Sequence, residues 1–146
     1  MKKKNLIAKI VLPLLLFVAL FFGFKNVVHA PTNTESKSVT VNIMVKVDDD
    51  YDLIKEINLK DVTGTLGDVI DEINEKELSV IELDGKKDSE FGRFIISIDG
   101  IGTEDMKGPW WMINSDTNKD CINAGFCSGI DMQSVYDEDV FDLVFE

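Results

Sequence analysis

Val39-Thr40-Val41-Asn42-Ile43-Met44-Val45-Lys46-Val47 alternates apolar and largely polar side chains over nine residues, and the architecture turns on it. Successive strand residues point to opposite faces, so this run predicts a strand with one buried face and one mostly wet face. Outward from it, Asp48-Asp49-Asp50-Tyr51-Asp52 breaks the pattern, and Ile54–Leu59 resumes it as a return strand. Thr65-Leu66-Gly67-Asp68 then opens a helix, a hydroxyl cap followed three residues later by an acid. Leu66, Val69, Ile70 and Ile73 form one apolar stripe at helical spacing, with Asp71, Glu72 and Glu75 off it, so this helix packs on the sheet. Further strands are predicted at Leu78–Leu83, Arg93–Ile98, Trp110–Ile113 and Val140–Phe145, with turns at Asp84-Gly85 and Asp99-Gly100. The order β-β-α-β-β-β-β implies an α+β fold: a small mixed sheet carrying one packed helix.

The N-terminus differs in kind from this domain. Lys2, Lys3, Lys4 and Lys9 precede an apolar run from Ile10 to Phe24, and Val28-His29-Ala30 has small residues where signal peptidase reads. Fifteen apolar residues suit a signal peptide better than a membrane span, which needs about 20. Pro31 directly after the site hinders cleavage. Residues 1–30 therefore read as a cleaved signal peptide or as a retained anchor that touches the membrane only through residues 10–24. Both readings place the domain outside the cytoplasm, secreted or at the cell surface. Residues 31–38 form a polar linker, and residues 39–146 form the domain.

Charge excludes one class of partner. Residues 31–146 hold all 27 acids against ten lysines and arginines, a formal charge of −17. Nucleic-acid binding needs a basic surface that releases counterions, so nucleic acid is not an expected partner. Cys121 and Cys127 are the only cysteines, with five residues between them in a stretch rich in Asn, Gly and Asp. Outside the cytoplasm such a pair reads first as a disulfide clamping its loop. A metal site is the weaker reading, because zinc takes four ligands and the only histidine, His29, lies in the export segment.

The chain reads as non-enzymatic and without a cofactor. With no histidine after residue 30, Ser-His-Asp and Cys-His arrangements are closed. Neither a Gly-rich phosphate loop nor H-E-x-x-H occurs. A pair of carboxylates for sugar hydrolysis usually needs a larger scaffold to enclose the sugar. Asp116-Thr117-Asn118-Lys119-Asp120 copies the first five positions of a calcium-binding EF-hand loop, but Cys121 replaces the glycine at the sixth and Cys127 the glutamate at the twelfth. It is a weak calcium candidate, as is the acidic turn at Asp48–Asp52.

Pro109-Trp110-Trp111-Met112-Ile113-Asn114 carries the most information about function. Alternation groups Trp111 with Ile113 and Trp110 with Met112. One pair faces the helix. The other is covered by the cysteine loop or offers a flat apolar platform to a ligand or partner.

Together with Phe91-Gly92-Arg93-Phe94-Ile95-Ile96-Ser97-Ile98-Asp99-Gly100-Ile101, Ser128-Gly129-Ile130 and Asp139–Phe145, and with the helix start Thr65–Ile70, this stretch resembles the DUF4430 domain family. That family is similar to the C-terminal β-domain of transcobalamin and intrinsic factor, and the resemblance spans nearly all of residues 39–146. It implies a β-grasp-like domain that binds a small molecule, a corrinoid or another vitamin, at the cell surface. The same Trp-bearing face serving as a platform for an envelope protein is the alternative. The contacts it implies are Trp110, Trp111, Met112 and Asn114 on the strand, and Gly125, Phe126, Gly129 and Ile130 in the loop. Two positions depart from the pattern: Asn114-Ser115 stands where relatives have Asn-Gly, and Glu138-Asp139 where they have Gly-Asp. No helical-barrel segment accompanies the domain in these residues, so a corrinoid on this face would be covered from one side.

Overall fold

In the computed structural model, which describes residues 36–104 and 107–146, the alternating run becomes β1, Lys37–Val47. Residues 1–30, expected to be a signal peptide or anchor, lie outside the described residues, as do residues 31–35 of the expected linker. The strand starts before Val39 because Lys37 Nζ donates to the Val135 carbonyl and the Ser38 amide donates to Asp137. A two-residue connection, Asp48-Asp49, leads into β2, Asp50–Val62. Asp48 takes a left-handed backbone conformation, which a short polar side chain tolerates. The expected break is therefore only two residues wide, and Asp50 to Asp52 are already paired strand.

Helix α1, Leu66–Glu75, begins where the cap residues place it: Thr65 and Asp68 exchange hydrogen bonds as a capping box. Leu66, Val69, Ile70 and Ile73 are fully buried, each stabilising the fold by roughly 1.5–3 kcal/mol. They pack into one core with Val39, Val41 and Ile43 of β1, Ile57 and Leu59 of β2, and Phe141 and Leu143 of β7, Asp139–Phe145. Strand order is β2-β1-β7-β6, where β6 is Trp111–Asn114. β7 runs parallel to β1 and antiparallel to β6. A hairpin, a helix and a last strand returning beside the first make a small β-grasp-like α+β domain.

The single sheet expected from sequence is in fact two. β3, Ile81–Asp84, pairs with β4, Phe94–Ile98, which pairs with a two-residue β5, Ile101–Gly102. Leu78 and the two residues after it do not join β3, because each is tied elsewhere. The Leu78 amide donates to Ile73 of the helix, and Asp99 accepts from the Ser79 hydroxyl and the Val80 amide. Arg93 likewise stays outside β4, its amide donating to Asp131. A second correction is a short helix α2, Lys119–Ala124, inside the cysteine loop, so the domain carries two helices.

Candidate functional site

The outer face of the four-stranded sheet, opposite α1, is built by register. Met112 pairs with Val144, Val144 with Met44, and Met44 with Leu53, so one apolar row crosses all four strands. The next row, offset by two residues on three strands and by three on β2 where a bulge intervenes, runs Asn114, Asp142, Asn42, Glu56 and is polar. Asn42 Nδ2 donates to Asp142 Oδ1 at 2.8 Å within it. Beyond the apolar row, Glu146 accepts from the Tyr51 hydroxyl and lies 3.5 Å from Lys46 Nζ. The Trp110 and Glu146 backbones exchange two hydrogen bonds, which extends the ladder by one pair and sets Trp110 on this same face.

A groove of about 550 Å³ lies between this face and the cysteine loop. Met44, Val144, Tyr51, Asn114 and Asp142 contribute from the sheet side. Ile122, Phe126, Asp116 and the Cys121–Cys127 disulfide contribute from the loop side. The loop holds its shape through a buried polar network. Asn118 caps α2, its Oδ1 accepting from the Asp120 and Cys121 amides. Its Nδ2 donates to Asp139 at 2.6 Å and to the Ser134 carbonyl. Gln133 donates to the same Asn118 Oδ1 and accepts from the Ser128 amide. Asn118, Gln133 and Asp139 are all buried, which makes these bonds costly to leave unmade. Gly125 ends α2 in the left-handed conformation that glycine adopts freely, and the disulfide closes the loop behind it. Phe126, 69% exposed, is thereby held out beside the groove.

The donors of Asp116–Asp120, weak as a calcium candidate in sequence, are largely committed to this network. Both ends of the Asn118 amide are occupied by the protein, and Asp120 accepts from the Tyr136 hydroxyl. Among the described residues no group of three or more His, Cys, Asp or Glu side chains is arranged to hold a metal ion.

The expected contact residues separate into three groups. Trp110 and Met112, 39% and 46% exposed, lie on the outer face with Asn114, and Gly125 and Phe126 stand across the groove from it. Trp111 and Ile130 belong to the core and are withdrawn from the surface. The Trp111 ring packs 5.0 Å from Phe145 and donates its Nε1–H to Ile101, and Ile130 is buried with its carbonyl accepting from Gly67. Gly129 is exposed but lies beside Phe91, away from the groove. Met44, Tyr51, Asp142 and Val144 were not anticipated. Their signal is the outward half of the β1, β2 and β7 patterns, which acquires meaning only once the cross-strand register is known.

A second polar cluster sits under the start of α1. Arg93, the only arginine of the chain, makes a two-pronged pair with Asp71 and another with Asp131, whose side chain is 2% exposed. Lys87 adds bonds to Asp68 and Asp71. The guanidinium holds Asp71 and Asp131 below the usual carboxylate range, and Lys87 does the same for Asp68. Arg93 itself is raised by the same two partners. Every member is paired, which marks the cluster as a tie between elements.

No protein-family profile matches the chain, and no curated protein matches it. Among solved structures the chain is similar to a candidate metal binding protein of Ruminococcus gnavus, with 25% identity and a TM-score of 0.48 over 75% of this chain and 96% of that one.

Proposed function

We propose that this protein is an exported, non-catalytic binding module of the DUF4430, transcobalamin-like type that captures a small molecule at the cell surface. The observation that carries the reading is the groove between the Trp110-bearing sheet face and the disulfide-clamped loop. Its volume is typical of small-molecule sites, and its walls combine apolar side chains with a few polar groups. Trp110 and Met112 continue the apolar surface beyond the groove, which suits a flat ligand lying partly on the open face. The resemblance points to a corrinoid or another vitamin as that ligand, and residues 1–30 to delivery across the membrane.

Calorimetric titration of the purified protein with cobalamin and cobinamide tests the reading, alongside Trp110→Ala and Phe126→Ala. Both side chains are exposed, so neither substitution endangers the core. Micromolar or tighter binding, weakened about tenfold or more in both variants, is the expected result. Absence of heat with either corrinoid removes that ligand class and moves the reading to an envelope protein docked on the same face.

A further inference from the structure

Resting on the reading of the groove as a ligand site, we infer that its ligand is an organic cation: an apolar body carrying an ammonium or similar group. Two carboxylates, Asp116 and Asp142, line the groove, and none of the lining residues is Lys, Arg or His. Asp142 Oδ1 accepts from Asn42, while Oδ2 has no donor among the described residues. The Asn42 amide offers no further help, since its own Oδ1 is buried without a partner. Lys46, on the same face, pairs with Glu146 at 3.5 Å and lies 5.8 Å from the centroid of the Tyr51 ring. Asp116 makes no side-chain hydrogen bond or ion pair among the described residues.

The selectivity follows from desolvation. In the free protein, water solvates both carboxylates. An apolar ligand resting on Met44, Val144 and Phe126 displaces that water and leaves Asp116 and the Oδ2 of Asp142 without a partner, which is costly. An anionic ligand adds repulsion. A cation returns to the carboxylates what water gave them, and its body keeps the apolar contacts; the exposed Phe126 ring favours it further. The −17 charge of residues 31–146 acts in the same direction, concentrating cations around the domain.

Three indoles of similar shape separate the terms: tryptamine, tryptophol and indole-3-propionate, cationic, neutral and anionic at pH 7. Binding is followed by NMR shifts of the Met44 methyl and the Phe126 ring in the intact protein, with Asp142→Asn as the variant. The Asn42 bond survives that change, because the new amide oxygen still accepts it. Tryptamine binding about tenfold tighter than tryptophol, the propionate weakest, and the differences narrowed in Asp142→Asn, where Asp116 remains, is the expected result. The tryptamine advantage shrinks with added salt. If all three shift the groove signals equally, or the anion binds tightest, the charge inference is overturned and the groove remains a site. If none shifts them, the groove is not a site for apolar ligands, and the reading beneath the inference falls with it.

Discussion

Gly67 occupies the second position of α1, where alanine would ordinarily be the better helix former by about 1 kcal/mol. Here the helix start is crossed by the Asp131–Arg93 pair. A Cβ on Gly67 would come within 2.1 Å of Asp131 Oδ1 and 3.1 Å of Arg93 Nη2. The Gly67 amide also donates to Ile130, which fixes the distance between helix and loop. Gly67→Ala is therefore expected to destabilise the protein by roughly 1–3 kcal/mol, opposite in sign to helix propensity. A urea midpoint unchanged or raised in that variant would show that the loop yields. Glu138 makes the converse point. It adopts a left-handed backbone conformation at the position where the resemblance expects glycine, and its amide still reaches Ser38. The departure in sequence preserves the backbone at the cost of some local strain. It also sets Asp139 in place to hold Asn118.

At the scale of elements, α2 is the one that depends most on its surroundings. Six residues are too few for a helix to persist alone, so the cap, the disulfide and the buried Asn118–Gln133–Asp139 network sustain it. Replacing both cysteines by serine is expected to cost about 2 kcal/mol, from the chain-entropy estimate for so short a loop. Amide exchange should accelerate over 119–127 while β1 and β7 keep their protection. Uniform acceleration across the sheet would instead mean that the loop is part of the global folding unit. Helix α1 was legible because its signals are local: the capping box spans four residues and the stripe eight. The role of Asn118 in 116–120 was not legible, because its side-chain partners Gln133, Ser134 and Asp139 lie 15 to 21 residues further on.

The whole molecule is acidic, and its response to acid follows from the Arg93 cluster, which ties α1 to the loops on either side of it. Asp71, Asp131 and Asp68 have folded values below the unfolded carboxylate value of about 3.9. A lowered value contributes stability that is complete above the unfolded value and is lost as pH falls through the folded one. Melting temperature should thus fall progressively as the pH drops below about 4. Asp131→Asn should remove about 3 kcal/mol at neutral pH, where it unbalances a buried pair, and make the acid limb shallower. An acid limb of unchanged slope in that variant would assign the loss to other carboxylates.

What the sequence determined by itself was whatever depends on near neighbours. The alternation of β1, the cap and stripe of α1, the opposite facing of Trp110 and Trp111, and the pairing of Cys121 with Cys127 all rest on residues within about a dozen positions of one another. The α+β class follows from their order. Tertiary structure alone decided the division into two sheets, because Asp99, Asp131 and the end of α1 compete for backbone groups that the strand pattern had assigned to one sheet. It also decided the groove. Met44 and Val144 stand a hundred positions apart and become neighbours only through the parallel pairing of β1 with β7, a register set by which faces of both strands enter the core.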